Sequence, residues 1–352
     1  MSTVLTMNRP GSLNDNLDRI VRQIQLTDEQ FDRATRIYDD LRRQLTTSNS
    51  PLAALSPRLF PQGSMLLRTT VKPFRKSGEA VEFDLDLMCV LNVNIDYKHA
   101  DDLYANVRDW LRSQPEYADR IEIKDKCIRL NYSDELLHLD IIPAAPGPQT
   151  AWGESFLIAN KRMFGQPIRT RDSYTQTDPL GFAAWFEMYC RTGTRTTAYE
   201  ARSIVERQPV REPVHQKAPL RKIVQLIKHY RNLAFLDAQE SPSSILITTL
   251  AAEAYNGETD LAQGLSRVLV RMHTRLKQAE ESGLNVPNPT VAGEDLGQRL
   301  DEKCLRPFRD MIADMHDALG DASKAGDGTQ ARKAALDRLV GPSVATKALN
   351  SR

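Results

Sequence analysis

From Thr27 onward apolar residues return at the three- and four-residue spacing of a helix: Phe31, Ala34, Ile37, Tyr38 and Leu41 share one side. Thr27, with Gln30 three residues on, has the form of a capping box, and the Thr-Ser-Asn-Ser-Pro run at 47–51 stops the pattern. Residues 1–26 are polar and weakly patterned, and no element is predicted there. The period then changes to two. Val81-Glu82-Phe83-Asp84-Leu85-Asp86-Leu87 alternates strictly and passes into the apolar run Met88–Leu91, as a strand does on entering the middle of a sheet. A helix is predicted from about Asp101 to Arg112, with Leu103, Val107, Trp110 and Leu111 on one side. Two further strands follow, Ile121–Leu130 and Leu136–Ile142, the second closed by Pro143.

Beyond about residue 175 the pattern is helical. Gly181–Tyr189, Pro219–Phe235, Ser243–Tyr255, Leu261–Lys277 and Arg306–Ala318 each carry apolar residues at i, i+3, i+4 spacing. The Pro-containing loop Gly283–Glu294 separates the last two. The Gly/Ser/Asp stretch at 320–329 reads as a linker, and a final helix from Thr329 to Leu339 ends at Gly341-Pro342, leaving a short polar tail. At 352 residues the chain exceeds the size at which one core keeps growing. The expected fold class is therefore α+β and two-lobed, a mixed β-sheet lobe with a helical second lobe. Its divisions are 1–50 (N-terminal segment and long helix), 51–175 (sheet-containing core), 176–345 (helical lobe) and 346–352 (tail).

Composition narrows the partners. Lys plus Arg total 47 against 46 for Asp plus Glu, a net charge of +1, which argues against a general nucleic-acid coat but allows a local basic pocket. Cys89, Cys127, Cys190 and Cys304 show no ligand spacing, so neither a zinc site nor a disulfide framework is expected. MSTVLTMNRPGSLND lacks the layout of a signal peptide, and the longest apolar-leaning stretch, Ile245–Ala254, is far short of the roughly 20 residues of a membrane span. A cytoplasmic protein with no membrane partner is the expectation.

The chemistry lies in the acidic strand. Asp84 and Asp86 are two apart and leave one face, while Leu85 and Leu87 point into the core. Adjacent carboxylates on an otherwise apolar strand repel and are costly to dehydrate unless a divalent cation sits between them. Asp140, in His138-Leu139-Asp140-Ile141-Ile142, offers a third carboxylate from another strand. Three such groups can hold two Mg²⁺ ions about 4 Å apart, the arrangement used for in-line phosphoryl and nucleotidyl transfer. Glu82 shares the face and reads as the exposed start of the strand. Gly63-Ser64, some 20 residues upstream, supplies what a phosphate needs: close backbone approach, N–H groups and a hydroxyl.

Gly63-Ser64, Asp84-Leu85-Asp86 and Asp140 together resemble the GS…hDhD…hD signature of nucleotidyltransferases with a DNA polymerase β type of core. Within that superfamily the chain is most similar to the bacterial cGAS/DncV-like enzymes, the CD-NTases of anti-phage signalling. The likeness continues through Leu220–Tyr230, similar to the family's "LR…LIKHW" helix with Tyr230 where tryptophan is common. Pro242-Ser243-Ser244-Ile245, Asn288-Pro289 with Glu294-Asp295, and the Ala331–Gly341 ending fit as well, so it runs over roughly residues 27–345.

The resemblance implies roles. Gly63 and Ser64 would hold the donor triphosphate and Lys228 would reach the phosphates from the helical lobe. Asp84 and Asp86 would bind both metals, Mg²⁺ or Mn²⁺, and Asp140 would complete the second and help activate the acceptor hydroxyl. Arg171, Asp172 and Tyr174 stand where they could reach the cleft between lobes, and Lys72, Arg75 and Lys76 where a flap could cover the triphosphate. The implied function is the joining of NTPs into a cyclic di- or trinucleotide with release of pyrophosphate. The implied partners are a product-sensing effector and a regulator acting at the C-terminus. The competing readings are a linear, 2′-5′ oligoadenylate-like or RNA- or protein-modifying transferase, and an inactive nucleotide-binding scaffold.

Overall fold

The computed structural model describes residues 11–47, 49–72, 83–93, 100–132, 137–159, 174–191, 211–236 and 238–351. Val81, Glu82, Leu136, Arg75, Lys76, Arg171 and Asp172, all singled out above, lie outside the described residues.

The capping box forms as expected. Thr27 accepts from the Gln30 N–H at 3.2 Å, Gln30 Oε1 accepts from the Thr27 N–H at 3.0 Å, and helix α2 runs Asp28–Thr46. Ahead of it stands a helix the pattern did not predict, α1, Leu13–Ile24. Its apolar residues Leu17, Ile20, Val21 and Ile24 are buried and its Ser12 cap bonds the Asp15 N–H. Asn14, Asp15, Asn16, Asp18 and Arg19 dilute the stripe enough to hide it in the sequence.

Among the described residues the sheet is seven-stranded and mixed. β1 (Arg58–Pro61) is joined to β2 (Phe83–Val90) by a route that includes a single helical turn, α3 (Gly63–Leu66). After helix α4 (Ala100–Ser113) come β3 (Ile121–Ile123), β4 (Ile128–Tyr132) and β5 (Leu137–Pro146). β6 (Phe156–Ala159) and β7 (Tyr174–Thr177), neither predicted, complete it. The order is β1-β2-β5-β4-β3, with β6 pairing β5 and β7; β2 and β5 are parallel and every other pair is antiparallel.

Two expectations about these strands are corrected. Ile121–Leu130 is a hairpin, turning where Lys124 N–H donates to Cys127 C=O at 3.1 Å, because Lys-Asp-Lys interrupts the apolar run. β5 also does not stop at Pro143. On that edge β4 pairs only as far as Ile141 and β6 begins at Ala144, so the proline falls in the gap between two partners, where no ladder donor is needed.

One face of the sheet buries Leu85, Leu87, Cys89, Leu139 and Ile141 against α2 and α4. The other buries Met88, Val90, Ile142 and Phe156 with Leu180. The helices α5 (Pro179–Cys190), α6 (Pro219–Ala234), α7 (Ser244–Ala254), α8 (Leu261–Ser282), α9 (Glu302–Lys324) and α10 (Gln330–Val340) match the predicted segments. They form the larger core, which also takes in α1. The first residues of the expected 320–329 linker continue α9 to Lys324. The expected polar tail is largely a helix, α11 (Pro342–Asn350), which buries Ala345 and Ala348. Arg19 of α1 holds its end through the Ser351 carbonyl at 2.7 Å. No helix among the described residues is long and apolar enough to cross a membrane.

Ile20 is fully buried in the helical core. Ile20→Ala should cost about 2–5 kcal/mol through lost transfer energy and an unfilled cavity, read as a lowered denaturant midpoint. A change below about 0.5 kcal/mol would mean that α1 is not docked as described.

Candidate active site

Strand register builds the acidic constellation. Asp84 and Asp86 share a face of β2 while Leu85 and Leu87 enter the core. The parallel register sets Asp86 beside Asp140 on β5, and the antiparallel register sets Arg129 of β4 on the other side of Asp140. Three charged side chains thus form one row across three neighbouring strands. Arg129 Nε donates to Asp140 Oδ1 at 2.7 Å and Nη2 to Oδ2 at 2.9 Å, a bidentate pairing; Nη2 also lies 3.3 Å from Asp84 Oδ1. The hydrogen bond to Asp140 holds the guanidinium above its already high ordinary range. Among the described residues Asp86 has no such direct partner. Burial, followed by the charges of Asp140 and Asp84, pushes its carboxyl up to about 7, with Lys228 and Arg129 pulling the other way.

The Gly-Ser turn is fastened to this row. Gln62 N–H donates to the Asp86 carbonyl at 2.8 Å, and α3 begins at Gly63 with φ +59°. A Cβ on Gly63 would stand 2.6 Å from Asp86 Oδ2. Glycine is required there on two counts, conformation and space. Ser64 Oγ lies 3.1 Å from Thr70 Oγ1. Lys228, buried on α6, donates to the Thr69 carbonyl at 3.0 Å; burial, reinforced by Arg231 and opposed by Asp86, lowers its ammonium to about 7.

Two cavities adjoin at Gly63, Ser64, Lys228, Ser244 and Ile245. The first, about 260 Å³, has the apolar residues Ile158 and Phe182 on its walls together with Gln176, Asn288 and Glu294. The second, about 520 Å³, contains Asp84, Asp86, Lys72 and Arg231. One has the mixture suited to a flat heteroaromatic ring, the other the opposed charges suited to phosphates and cations.

The residues singled out in the sequence are largely brought together. Gly63, Ser64, Asp84, Asp86 and Lys228 line the second cavity, and Asp140 neighbours Asp86 in the row. Tyr174 is instead buried in β7 as core. Arg129 was missed: only the register of β4 against β5 reveals that it faces Asp140. As they stand, the described residues hold no group of three His, Cys, Asp or Glu side chains placed to bind a metal, and Arg129 engages Asp140 and Asp84. The donor set nevertheless fits a hard divalent ion. It is all carboxylate oxygen, and its central member is short of compensating positive charge.

Residues 12–188 match the family described as Second Messenger Oligonucleotide or Dinucleotide Synthetase domain. The chain is 26% identical over 329 residues to the c-di-GMP synthase of Roseivirga ehrenbergii, covering 92% of this chain and 82% of that one. It is 28% identical over 315 residues to the cyclic dinucleotide synthase CdnG of Bradyrhizobium diazoefficiens, covering 83% and 72%. The solved structure of that CD-NTase in complex with GTP superposes with a TM-score of 0.74 at 22% identity, over 97% of this chain and 99% of the other. An E. coli MS115-1 CdnC:HORMA-deltaN complex superposes at 0.63 and 14% identity, over 94% and 97%. The fold is that of the CD-NTases, with its two lobes.

Because the Asp86 carboxyl is raised, the native state binds more protons than the unfolded chain between about 4, its ordinary value, and about 7. Stability contributed at this residue therefore falls as pH rises through that window. In divalent-free buffer, Asp86→Asn should flatten the decline of the thermal midpoint between pH 4.5 and 7; parallel profiles for the two proteins would refute the assignment. Gly63→Ala should abolish NTP turnover while shifting the thermal midpoint by only a few degrees, and retained turnover would show that the close approach to Asp86 is not required.

Proposed function

Since the chain belongs to the Second Messenger Oligonucleotide or Dinucleotide Synthetase family, we propose that it joins two molecules of GTP into a cyclic dinucleotide. It is a nucleotidyltransferase of the class that makes cyclic oligonucleotides. The choice of GTP and of two bases rests on relatives, one named a c-di-GMP synthase and one solved with GTP. The observation that carries the reading is the acidic row beside the Gly-Ser turn, with two adjoining cavities meeting at that turn. Two nucleotides could then stand on either side of the group that links them.

In this mechanism the triphosphate of one nucleotide lies along Gly63 and Ser64, and Lys228 presents its amino group to it from α6. The hydroxyl of the second attacks the α-phosphate in line. A P–O bond forms to that hydroxyl, the bond to pyrophosphate breaks, and a second such step closes the ring. Asp84, Asp86 and Asp140 would hold two divalent ions, Mg²⁺ or Mn²⁺, whose chemistry is neutralisation of the phosphoryl charge and acidification of the attacking hydroxyl. Asp140 accepts a hydrogen bond from that hydroxyl and takes up its proton as the P–O bond forms, releasing it afterwards to solvent water. Arg129 keeps Asp140 oriented by a bidentate ion pair until the substrates are bound, and Ile158 and Phe182 cover the base from water.

The near-balanced charge supports small nucleotides over a long RNA as substrate. The presence of Asp84, Asp86 and Asp140 together supports an active enzyme over an inert scaffold. We place the enzyme in the cytoplasm, in anti-phage signalling, beside an effector that senses its product. A regulatory protein would act at the C-terminus; CdnC of E. coli MS115-1, which shares the fold, is solved in complex with HORMA.

Incubation with GTP, ATP, CTP and UTP, singly and mixed, in Mg²⁺ and then with phosphatase tests this. A phosphatase-resistant species built from GTP, absent in an Asp84→Ala, Asp86→Ala double variant, is expected. Products with free ends would point to a linear transferase. Failure to bind any NTP in the presence of Mg²⁺ or Mn²⁺ would sink the enzyme.

A further inference from the structure

Four consecutive carbonyls after α3 are each held by a buried polar side chain on or just ahead of α6. Arg221 Nε donates to Leu67 O at 3.2 Å, Lys217 Nζ to Arg68 O at 3.3 Å, Lys228 Nζ to Thr69 O at 3.0 Å and Gln225 Nε2 to Thr70 O at 2.7 Å. The last of these continues into the site. Thr70 Oγ1 is 3.1 Å from Ser64 Oγ, and Thr69 N–H donates to the Ser64 carbonyl at 2.9 Å.

The direction at the Gln225 end of this chain follows from donor counting. Lys217 is a donor only, and its Nζ lies 3.0 Å from Gln225 Oε1. The amide oxygen of the fully covered Gln225 therefore faces Lys217, and its NH₂ must face Thr70. That bond fixes the backbone of Thr70 and with it the hydroxyl at Ser64. A serine hydroxyl has one hydrogen. Were it donated to Thr70, only lone pairs would face an anionic oxygen in the cavity, and they would repel it.

We infer that Thr70, held in place by Gln225 and Lys217, is a positioning residue for Ser64: its hydroxyl donates to Ser64 Oγ and leaves the serine hydrogen free for a phosphate oxygen. The inference rests on the proposal that Ser64 contacts the substrate triphosphate. It makes the phosphate turn a shared product of both lobes, since the chain that orients Ser64 begins at Lys217 and Gln225.

Equilibrium binding of GTP in Mg²⁺ to the full chain and its variants tests it. Thr70→Val, close to isosteric, should weaken binding about three- to tenfold, the worth of one hydrogen bond, and Thr70→Ser should restore it. In a Ser64→Ala background, Thr70→Val should add less than about twofold, because its effect passes through the missing hydroxyl. Gln225→Glu keeps an acceptor for Lys217 but cannot donate to Thr70 O, so it should weaken GTP binding and, by leaving a buried carbonyl unpaired, also lower the thermal midpoint. Additive losses in the double variant would mean that Thr70 touches the nucleotide itself, and wild-type affinity in Thr70→Val would mean that it does nothing; either overturns the inference. Absence of NTP binding by the wild-type chain would instead remove the reading on which it rests.

Discussion

The constraint on which the rest of this structure depends is the register of β2 against β5, which sets Asp86 beside Asp140 on a largely apolar sheet. Like charges so placed repel, and burial raises the penalty. The surroundings are arranged to tolerate it. Arg129 takes both oxygens of Asp140 and reaches Asp84, Lys228 places a cation near Asp86, and Gly63 omits a Cβ that would collide with the Asp86 carboxylate. Compensation remains incomplete, because burial and the neighbouring carboxylates still push the Asp86 carboxyl up to about 7. An apolar replacement would serve folding better. A fold that keeps the strain is one in which the charge does something that stability does not require.

The second lobe is bound to that row through backbone. Leaving the carbonyls of residues 67–70 unpaired against a helix would cost more than the bonds to them gain, so the match between those carbonyls and the donors of α6 is selective. α6 is held from behind as well: Lys222 reaches Asp18 of α1 at 2.7 Å, and His229 meets the Val340 carbonyl of α10 at 3.0 Å. With polar anchors on several sides, α6 can neither rotate nor slide without breaking buried bonds. Lys228 therefore arrives at the site on a rigid element.

Much of this was legible in the sequence, and the reasons differ by element. The strict alternation at 83–87 announced a strand and its acidic face, because a period of two leaves no other way to place Asp84 and Asp86. Most helices of the second lobe were readable from an apolar stripe, and α5 and α7 from near-continuous apolar runs that are buried almost all round. α1 was not, since polar residues interrupt its stripe and its burial depends on a core assembled from distant helices. β6 and β7 have only four residues each, too few to show a period. α11 follows a Gly-Pro pair that reads as a stop but serves as a helix start, with Pro342 in its first turn.

Arg129 marks the boundary of what periodicity can reveal. Alternation along β4, with Ile128, Leu130 and Tyr132 buried, puts Arg129 and Asn131 on the opposite face, and that much is local. Which residue of β5 each one meets is set by where the hairpin turns and where the gap at Pro143 lets β6 take over, both tertiary facts. A slip of one residue would move Arg129 away from Asp140 and turn Leu130 toward the carboxylates. The hydrophobic demand of Leu130 and Ile128 for the α2/α4 side thus selects the register that brings the guanidinium to Asp140. The chemistry of the row is, in this sense, a consequence of core packing on the opposite face of the same strands.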